Sequence, residues 1–136
     1  MAKILIVDDE IELKNVLAET LSAHSHEVRG CTSGLEALEV LRAESFDLLI
    51  SDLMMPEIGG LALIKAALAI DSHLVTIIMT GQGTIQSAEE AEGLGVFDYL
   101  LKPFTMRTMH TAVSRALDSR KSVRKVANQA ASGLGG

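Results

Sequence analysis

The chain has 136 residues, enough for one domain, and 48% hydrophobic against 22% charged residues with two prolines indicate a folded protein rather than a disordered one. A formal net charge of −6 argues against direct binding of nucleic acid, which needs clustered Lys and Arg. The N-terminus leads directly into a short apolar run ending in acids, so we expect no signal peptide or membrane span and a cytoplasmic protein.

The first half of the chain alternates apolar runs with helical spacing. Residues 4–7 and 46–50 are nearly continuous apolar runs, typical of strands in a parallel sheet covered by helices on both faces. Residues 27–32 predict a weaker strand, whose charge and glycine favour a sheet edge. One helix is predicted before this edge strand, and a second begins after it at Ser33, where Glu36 completes a capping box. The apolar stripes comprise Leu13, Val16, Leu17, Thr20 and Leu21 in the first helix, and Leu38 and Leu41 in the second.

The second half continues the alternation. A third helix follows Gly59 and Gly60, strands are predicted at 74–79 and 96–101, and a fifth helix begins after Thr105 as N-cap. The fourth helix, 84–94, is the weakest because glutamates crowd it and a glycine lowers its propensity. The stripes are Leu61, Ile64 and Leu68 in the third helix, Ile85, Ala88 and Ala91 in the fourth, and Met106, Met109, Val113 and Leu117 in the fifth.

Five alternations of strand and helix predict an α/β fold with a doubly wound parallel sheet. We expect one domain over residues 1–120, then a helix extension and a flexible tail or linker over 121–136. The basic run 115–125 is interpreted as a solvated helix end, and Cys31 as a buried, inert thiol. The four histidines, His24, His26, His73 and His110, are interpreted as packing or solvent residues.

Polar side chains follow four of the predicted strands, where open α/β sheets bind their ligands. Asp8 and Asp9, with Glu10, follow the first strand; Asp52 follows the third, Thr80 the fourth and Lys102 the fifth. Converging carboxylates would repel one another unless a cation intervened, and Mg²⁺ prefers such hard oxygen ligands. A carboxylate can also attack phosphorus, which makes Asp52 a candidate nucleophile, Lys102 a counter-charge and Thr80 a hydroxyl donor. Taken alone, Asp8 and Asp9 are equally compatible with a solvated turn or the first turn of a helix, and Thr80 and Lys102 are more typical of a loop residue and a surface charge; the four strand ends together favour the site.

With these motifs the chain resembles the receiver (CheY-like) domain of bacterial two-component response regulators, with local wording closest to the receivers of NtrC-type transcription activators. The motifs are the acids at 8–10, Asp52-Leu-Met-Met-Pro56 with Gly60, Met79-Thr80-Gly81, and the segment 98–104. The resemblance implies a flavodoxin-like five-stranded sheet in the order 2-1-3-4-5, flanked by five helices. It implies a Mg²⁺ site made by Asp8, Asp9, Asp52 and the backbone carbonyl of Met54, and phosphotransfer from a sensor histidine kinase or phosphotransfer protein to Asp52.

The resemblance also implies how a signal would leave the site. Thr80 would move to bond the phosphoryl group and Tyr99 would turn inward, altering the face of helix 4, strand 5 and helix 5 that controls an output domain or partner. It further implies a cis peptide between Lys102 and Pro103, and allows a phosphorylation-dependent homodimer.

Two groups of residues depart from what the family leads us to expect. Apolar Met54 and polar Gln82 stand where the family tunes dephosphorylation, so we predict a shielded acyl phosphate that outlasts seconds. In helix 4, Glu89, Glu92 and Gly93 replace more apolar or basic residues; surface drift and a changed partner face both remain open.

Two other functions are compatible with parts of the pattern. A phosphohydrolase with an aspartyl-phosphate intermediate needs a second acid two residues after the nucleophile, where this chain has Met54, so we predict no turnover of external substrates. A degenerate receiver acting as a constitutive interaction module would not need the full set of acids, Thr80 and Lys102.

Overall fold

The computed structural model describes residues 2–134, with side chains described up to residue 120. Strands and helices alternate along the chain, each strand followed by a helix, so that every connection within the sheet is a βαβ crossover. The elements are β1 (Lys3–Val7), α1 (Ile11–Ser22), β2 (Glu27–Cys31), α2 (Gly34–Ala43), β3 (Leu48–Asp52), α3 (Gly60–Ile70), β4 (Val75–Thr80), α4 (Ile85–Gly93), β5 (Asp98–Leu101) and α5 (Met106–Leu134).

The five strands form one parallel sheet in the order β2-β1-β3-β4-β5, which confirms the predicted fold and the edge position of β2. Helices cover both faces, and each face has its own aliphatic core: Leu5 and Leu49 point to one side, Ile4 and Ile50 to the other. β3 lies two residues later than predicted, because its pairing with β4 continues to Asp52, opposite Met79. The strand therefore carries the acid on its last residue.

Two residues that were predicted to lie on the inward-facing apolar stripes face solvent instead. Val16 of α1 is 47% exposed and Ile85 of α4 is 82% exposed, whereas Leu17, Leu21 and Ala91 on the same helices are buried. Only a narrow strip of each helix touches the sheet, so an apolar residue near the strip's margin can face solvent. Ser33 caps α2 by accepting from the Glu36 N–H, but the Glu36 carboxylate accepts from Thr32 rather than closing the box at Ser33.

α5 is longer than the apolar stripe indicated, since its backbone remains helical to Leu134. The interpretation of the basic run as solvated is wrong for Arg120. This side chain is buried and donates to the main-chain carbonyls of Phe46 and Asp47, at 3.0 and 2.9 Å. Residues 135–136 of the predicted helix extension and tail lie outside the described residues, and the flexible tail or linker predicted within 121–136 stays a prediction.

Other expectations concern single side chains. Cys31 is buried as predicted, and burial raises the pKa of its thiol to about 11, which is in keeping with the predicted inert thiol. His73 is exposed, and the rings of His24 and His110 stack with centroids 4.2 Å apart. Within the described part of the chain, no helix is both long and apolar enough to span a membrane.

Candidate functional site

Three charged side chains meet at the carboxyl end of the sheet. Asp8 directly follows β1, Asp52 ends β3 and Lys102 directly follows β5. Since the parallel strands β1, β3, β4 and β5 are consecutive neighbours, their carboxyl ends share one edge of the sheet. The predicted convergence of residues scattered in sequence is therefore present.

Lys102 is the cation at the centre of this group. Its Nζ lies 3.0 Å from Asp8 Oδ2, 3.1 Å from Glu10 Oε1 and 3.4 Å from Asp52 Oδ2. Asp8 is fully buried and Asp52 is 5% exposed. Two acids and a lysine are thus held largely out of water, where electrostatic interactions are strong. The Lys102–Pro103 peptide bond is cis.

The charges are not balanced. Burial, and then repulsion from Asp8, raise the pKa of Asp52 from 3.8 to about 6, although Lys102 and a backbone hydrogen bond from Met54 act in the opposite direction. Burial alone would lower the pKa of Lys102, but its hydrogen bonds to Asp8 and Glu10, together with the charges of Asp8 and Asp52, outweigh burial and raise it. The site therefore has an excess of negative charge that a further cation would neutralise.

The oxygen ligands for such a cation are present. Single carboxylate oxygens of Asp8, Glu10 and Asp52 all lie within 4.8 Å of one another. A set of carboxylate oxygens suits a hard ion such as Mg²⁺ better than zinc, which prefers nitrogen and sulfur. Asp9 is exposed and is not in this set, so its predicted role as a ligand is neither supported nor tested. Glu10 belongs to this set, and its place beside Asp8 and Asp9 in the sequence was the available signal.

The remaining predicted residues surround this centre. Thr80 is fully buried at the end of β4, and its Oγ1 accepts from the Gln82 N–H at 3.0 Å. Met54 is 57% exposed in the loop after β3, and Gln82 is exposed in the loop after β4. The hydroxyl of Tyr99 lies 2.7 Å from Ser87 Oγ in α4, a contact that the sequence analysis did not anticipate.

The main chain behind Asp52 requires a glycine. A Cβ placed on Gly60 would lie 2.3 Å from the Asp52 carbonyl oxygen and 3.0 Å from Leu53 Cα. The Gly60 N–H also donates to the Leu53 carbonyl at 2.9 Å. Close packing of the start of α3 against the end of β3 therefore fixes the backbone that carries Asp52.

Two known proteins are similar to this chain in sequence. The chain is 34% identical over 137 residues to the C4-dicarboxylate transport transcriptional regulatory protein DctD of Rhizobium meliloti (strain 1021), covering 96% of this chain and 30% of that protein. It is 31% identical over 115 residues to sporulation initiation phosphotransferase F of Bacillus subtilis (strain 168), covering 85% of this chain and 93% of that one. The chain thus spans under a third of the length of DctD.

A solved structure has the same fold as this chain. A response regulator receiver domain protein from Clostridium thermocellum superposes with a TM-score of 0.84 at 31% identity, over 90% of this chain and 99% of that one. The family model described as response regulator receiver domain matches residues 4–114. This is a family of signalling modules rather than of enzymes that turn over a substrate. On its fold, its strand-end residues and these matches, the chain belongs to the response regulator receiver domain family.

Proposed function

We propose that this receiver domain accepts a phosphoryl group on Asp52 from the phosphohistidine of a sensor histidine kinase or phosphotransfer protein. The observation that carries the proposal is the position of Lys102 Nζ, which lies within 3.4 Å of both Asp8 and Asp52 in a nearly dry site. A cation there can neutralise charge on the phosphoryl oxygens as they approach the carboxylate. Because Lys102 already contacts Asp52, its charge would be in place before the reaction, and little solvent would have to reorganise.

In the proposed step, an Asp52 carboxylate oxygen attacks phosphorus, the P–N bond to the donor imidazole breaks, and an acyl phosphate forms. Lys102 would exchange its contact with Asp52 for one with a phosphoryl oxygen, and the hydroxyl of Thr80 would donate to another. Mg²⁺, when bound, would neutralise phosphoryl charge at this site. The carboxylates of Asp8, Glu10 and Asp52 support this part of the proposal; Asp9 and the carbonyl of Met54 remain predicted ligands.

The surface that would pass the signal to a partner is formed by elements near Thr80. We propose that phosphorylation alters the face of α4, β5 and α5 and thereby controls an output domain, a partner or a homodimer. Ile85 of α4 and Leu101 of β5, exposed by 82% and 60%, are large apolar side chains on these elements. Apolar surface of this kind is typical of protein contacts. A cytoplasmic location and slow self-dephosphorylation remain predictions.

The proposal is tested by intact-mass measurement after incubation with acetyl phosphate and Mg²⁺. The wild type should gain one phosphoryl group, with EDTA suppressing the gain, and Asp52→Asn should gain none. Asp118→Asn, at an exposed aspartate of α5, is the matched control and should behave as the wild type. A mass gain that persists in Asp52→Asn would overturn the assignment of the acceptor. Continuous release of phosphate over many turnovers would favour the phosphohydrolase instead.

A further inference from the structure

Helix α4 is held to the domain by little apolar contact. Of its residues, all of which are described, Ala91 alone is buried, and Ile85 in its first turn faces solvent. A helix with so little buried surface is expected to open or shift at low free-energy cost. Polar contacts at its N-terminus therefore have more influence on its position than they would in α2 or α3.

Ser87 makes two such contacts at once. It forms a reciprocal cap with Thr84, in which the Ser87 N–H donates to Thr84 Oγ1 and the Thr84 N–H donates to Ser87 Oγ, each at 3.0 Å. The same Ser87 Oγ lies 2.7 Å from the hydroxyl of Tyr99 on β5. One serine thus belongs both to the cap of α4 and to the contact between α4 and the sheet.

The hydrogen-bonding capacity of Ser87 shows how this contact works. A serine hydroxyl has one proton to donate and two lone pairs to accept with. Four contacts compete for that capacity: the Thr84 carbonyl accepts from Ser87 Oγ at 3.0 Å, the Thr84 N–H donates to it at 3.0 Å, and the hydroxyls of Thr84 and Tyr99 lie 3.1 and 2.7 Å from it. Either hydroxyl can be the donor in the contact between Ser87 and Tyr99, and in both cases the Tyr99 hydroxyl is tied to the cap.

The loop between β4 and α4 connects this arrangement to the phosphoacceptor site. Thr80 Oγ1 holds the N–H of Gln82 at the start of the loop. Gly83 rests on the Tyr99 side chain, since a Cβ there would lie 3.0 Å from the Tyr99 hydroxyl oxygen and 2.8 Å from Leu101 Cδ2. A displacement of Thr80 would therefore move the loop that rests on Tyr99, while the Tyr99 hydroxyl is also in contact with Ser87.

We propose that Ser87 is a positioning residue that ties the Tyr99 hydroxyl to the cap of α4, so that movement of Tyr99 and movement of α4 are coupled in this chain. The tie itself is a property of the fold. Its role in transmitting phosphorylation rests on the proposed function, and the two parts are tested separately.

The tie is tested without any phosphodonor, by hydrogen exchange of residues 85–93 and by tyrosine emission. Tyr99 is the single tyrosine of a chain without tryptophan, so tyrosine emission reports on Tyr99 alone. Tyr99→Phe removes the tie and leaves the cap, and should speed exchange in α4 about three- to tenfold, the worth of one hydrogen bond. Ser87→Ala should speed exchange in α4 at least as much and should change Tyr99 emission. Ser87→Thr, which keeps the hydroxyl, should leave α4 exchange and Tyr99 emission close to their wild-type values.

A double-mutant cycle separates the tie from the cap. Because Ser87→Ala already lacks the tie, adding Tyr99→Phe to it should change α4 exchange by less than twofold. If Tyr99→Phe increased α4 exchange equally in the wild type and in Ser87→Ala, the proposed tie would be overturned. Tyr99 emission that is unaffected by Ser87→Ala would overturn it as well.

Transmission is then tested with acetyl phosphate and Mg²⁺, with phosphorylation confirmed by intact mass. In the wild type, Tyr99 emission and α4 exchange should both change; in phosphorylated Ser87→Ala, emission should change while α4 exchange keeps its donor-free value. An α4 response equal to that of the wild type would overturn the coupling. Failure of the wild type to gain mass would instead count against the proposed function, while the donor-free measurements would still decide the tie.

Discussion

Replacing Asp52 with asparagine should make the metal-free protein more stable, although it removes the proposed acceptor. Asp52 is 5% exposed and lies next to Asp8, which is fully buried, so its negative charge is costly in the folded state. The rise of the Asp52 pKa from 3.8 to about 6 means that the ionisation of Asp52 lowers the free energy of unfolding at neutral pH by at most roughly 3 kcal/mol. Asparagine loses the contact with Lys102, so we expect a net gain of about 1–2 kcal/mol.

The pH dependence has a definite sign. Because the pKa of Asp52 is higher in the folded state, the folded protein binds the proton more tightly and loses stability as the pH rises through the interval from 3.8 to about 6. The asparagine variant lacks this loss. The difference between the two proteins should therefore be close to zero below the lower pKa and complete at neutral pH.

Urea unfolding in EDTA at several pH values between 3.5 and 7.5 measures this difference. Asp118→Asn, at an exposed position, should stay within about 0.5 kcal/mol of the wild type throughout. Adding Mg²⁺ should stabilise the wild type more than Asp52→Asn, since the variant lacks one of the proposed ligands. A variant that is no more stable than the wild type at neutral pH, or equally more stable at every pH, would refute the electrostatic reasoning.

Four further predictions concern other parts of the domain. Lys102→Met should destabilise the metal-free protein by about 1–3 kcal/mol because Asp8 and Asp52 lose their cation, and part of this loss should disappear in the Asp52→Asn background, as urea unfolding would show. Arg120→Met should cost about 1–3 kcal/mol, because the Phe46 carbonyl loses its hydrogen bond from Arg120 and the Asp47 carbonyl keeps only the longer one from the Val75 N–H, whereas Arg115→Met on the exposed side of α5 should cost under about 0.5 kcal/mol; equal losses would contradict the structure. Gly60→Ala should lower the free energy of unfolding by about 1–3 kcal/mol because its Cβ meets the Asp52 carbonyl, while Gly93→Ala, with open space around it, should be neutral or stabilising. If Met54 shields the acyl phosphate, Met54→Asn should shorten the phosphoryl lifetime, measured by decay of the intact-mass gain, with little change in stability; an unchanged rate would discard the shielding.

The strand-end residues could be predicted from the sequence because the rules that place them are local. A continuous apolar run predicts a buried strand, and the acid or lysine that follows it must lie at the strand's carboxyl end. This reasoning located Asp8, Asp52, Thr80 and Lys102. It could not determine which neighbouring acid faces the site, since Asp9 and Glu10 differ only in the direction that the turn after β1 gives them.

What the sequence by itself determined about this protein is its set of strands and helices and the chemistry at the strand ends. The tertiary structure decided which surfaces those elements share. Ile85 is exposed, Arg120 is buried against the carbonyls of Phe46 and Asp47, and Ser87 meets Tyr99 across twelve residues of chain. Periodicity gives the direction of a side chain around its own helix, but burial and hydrogen bonding depend on what another segment places opposite it.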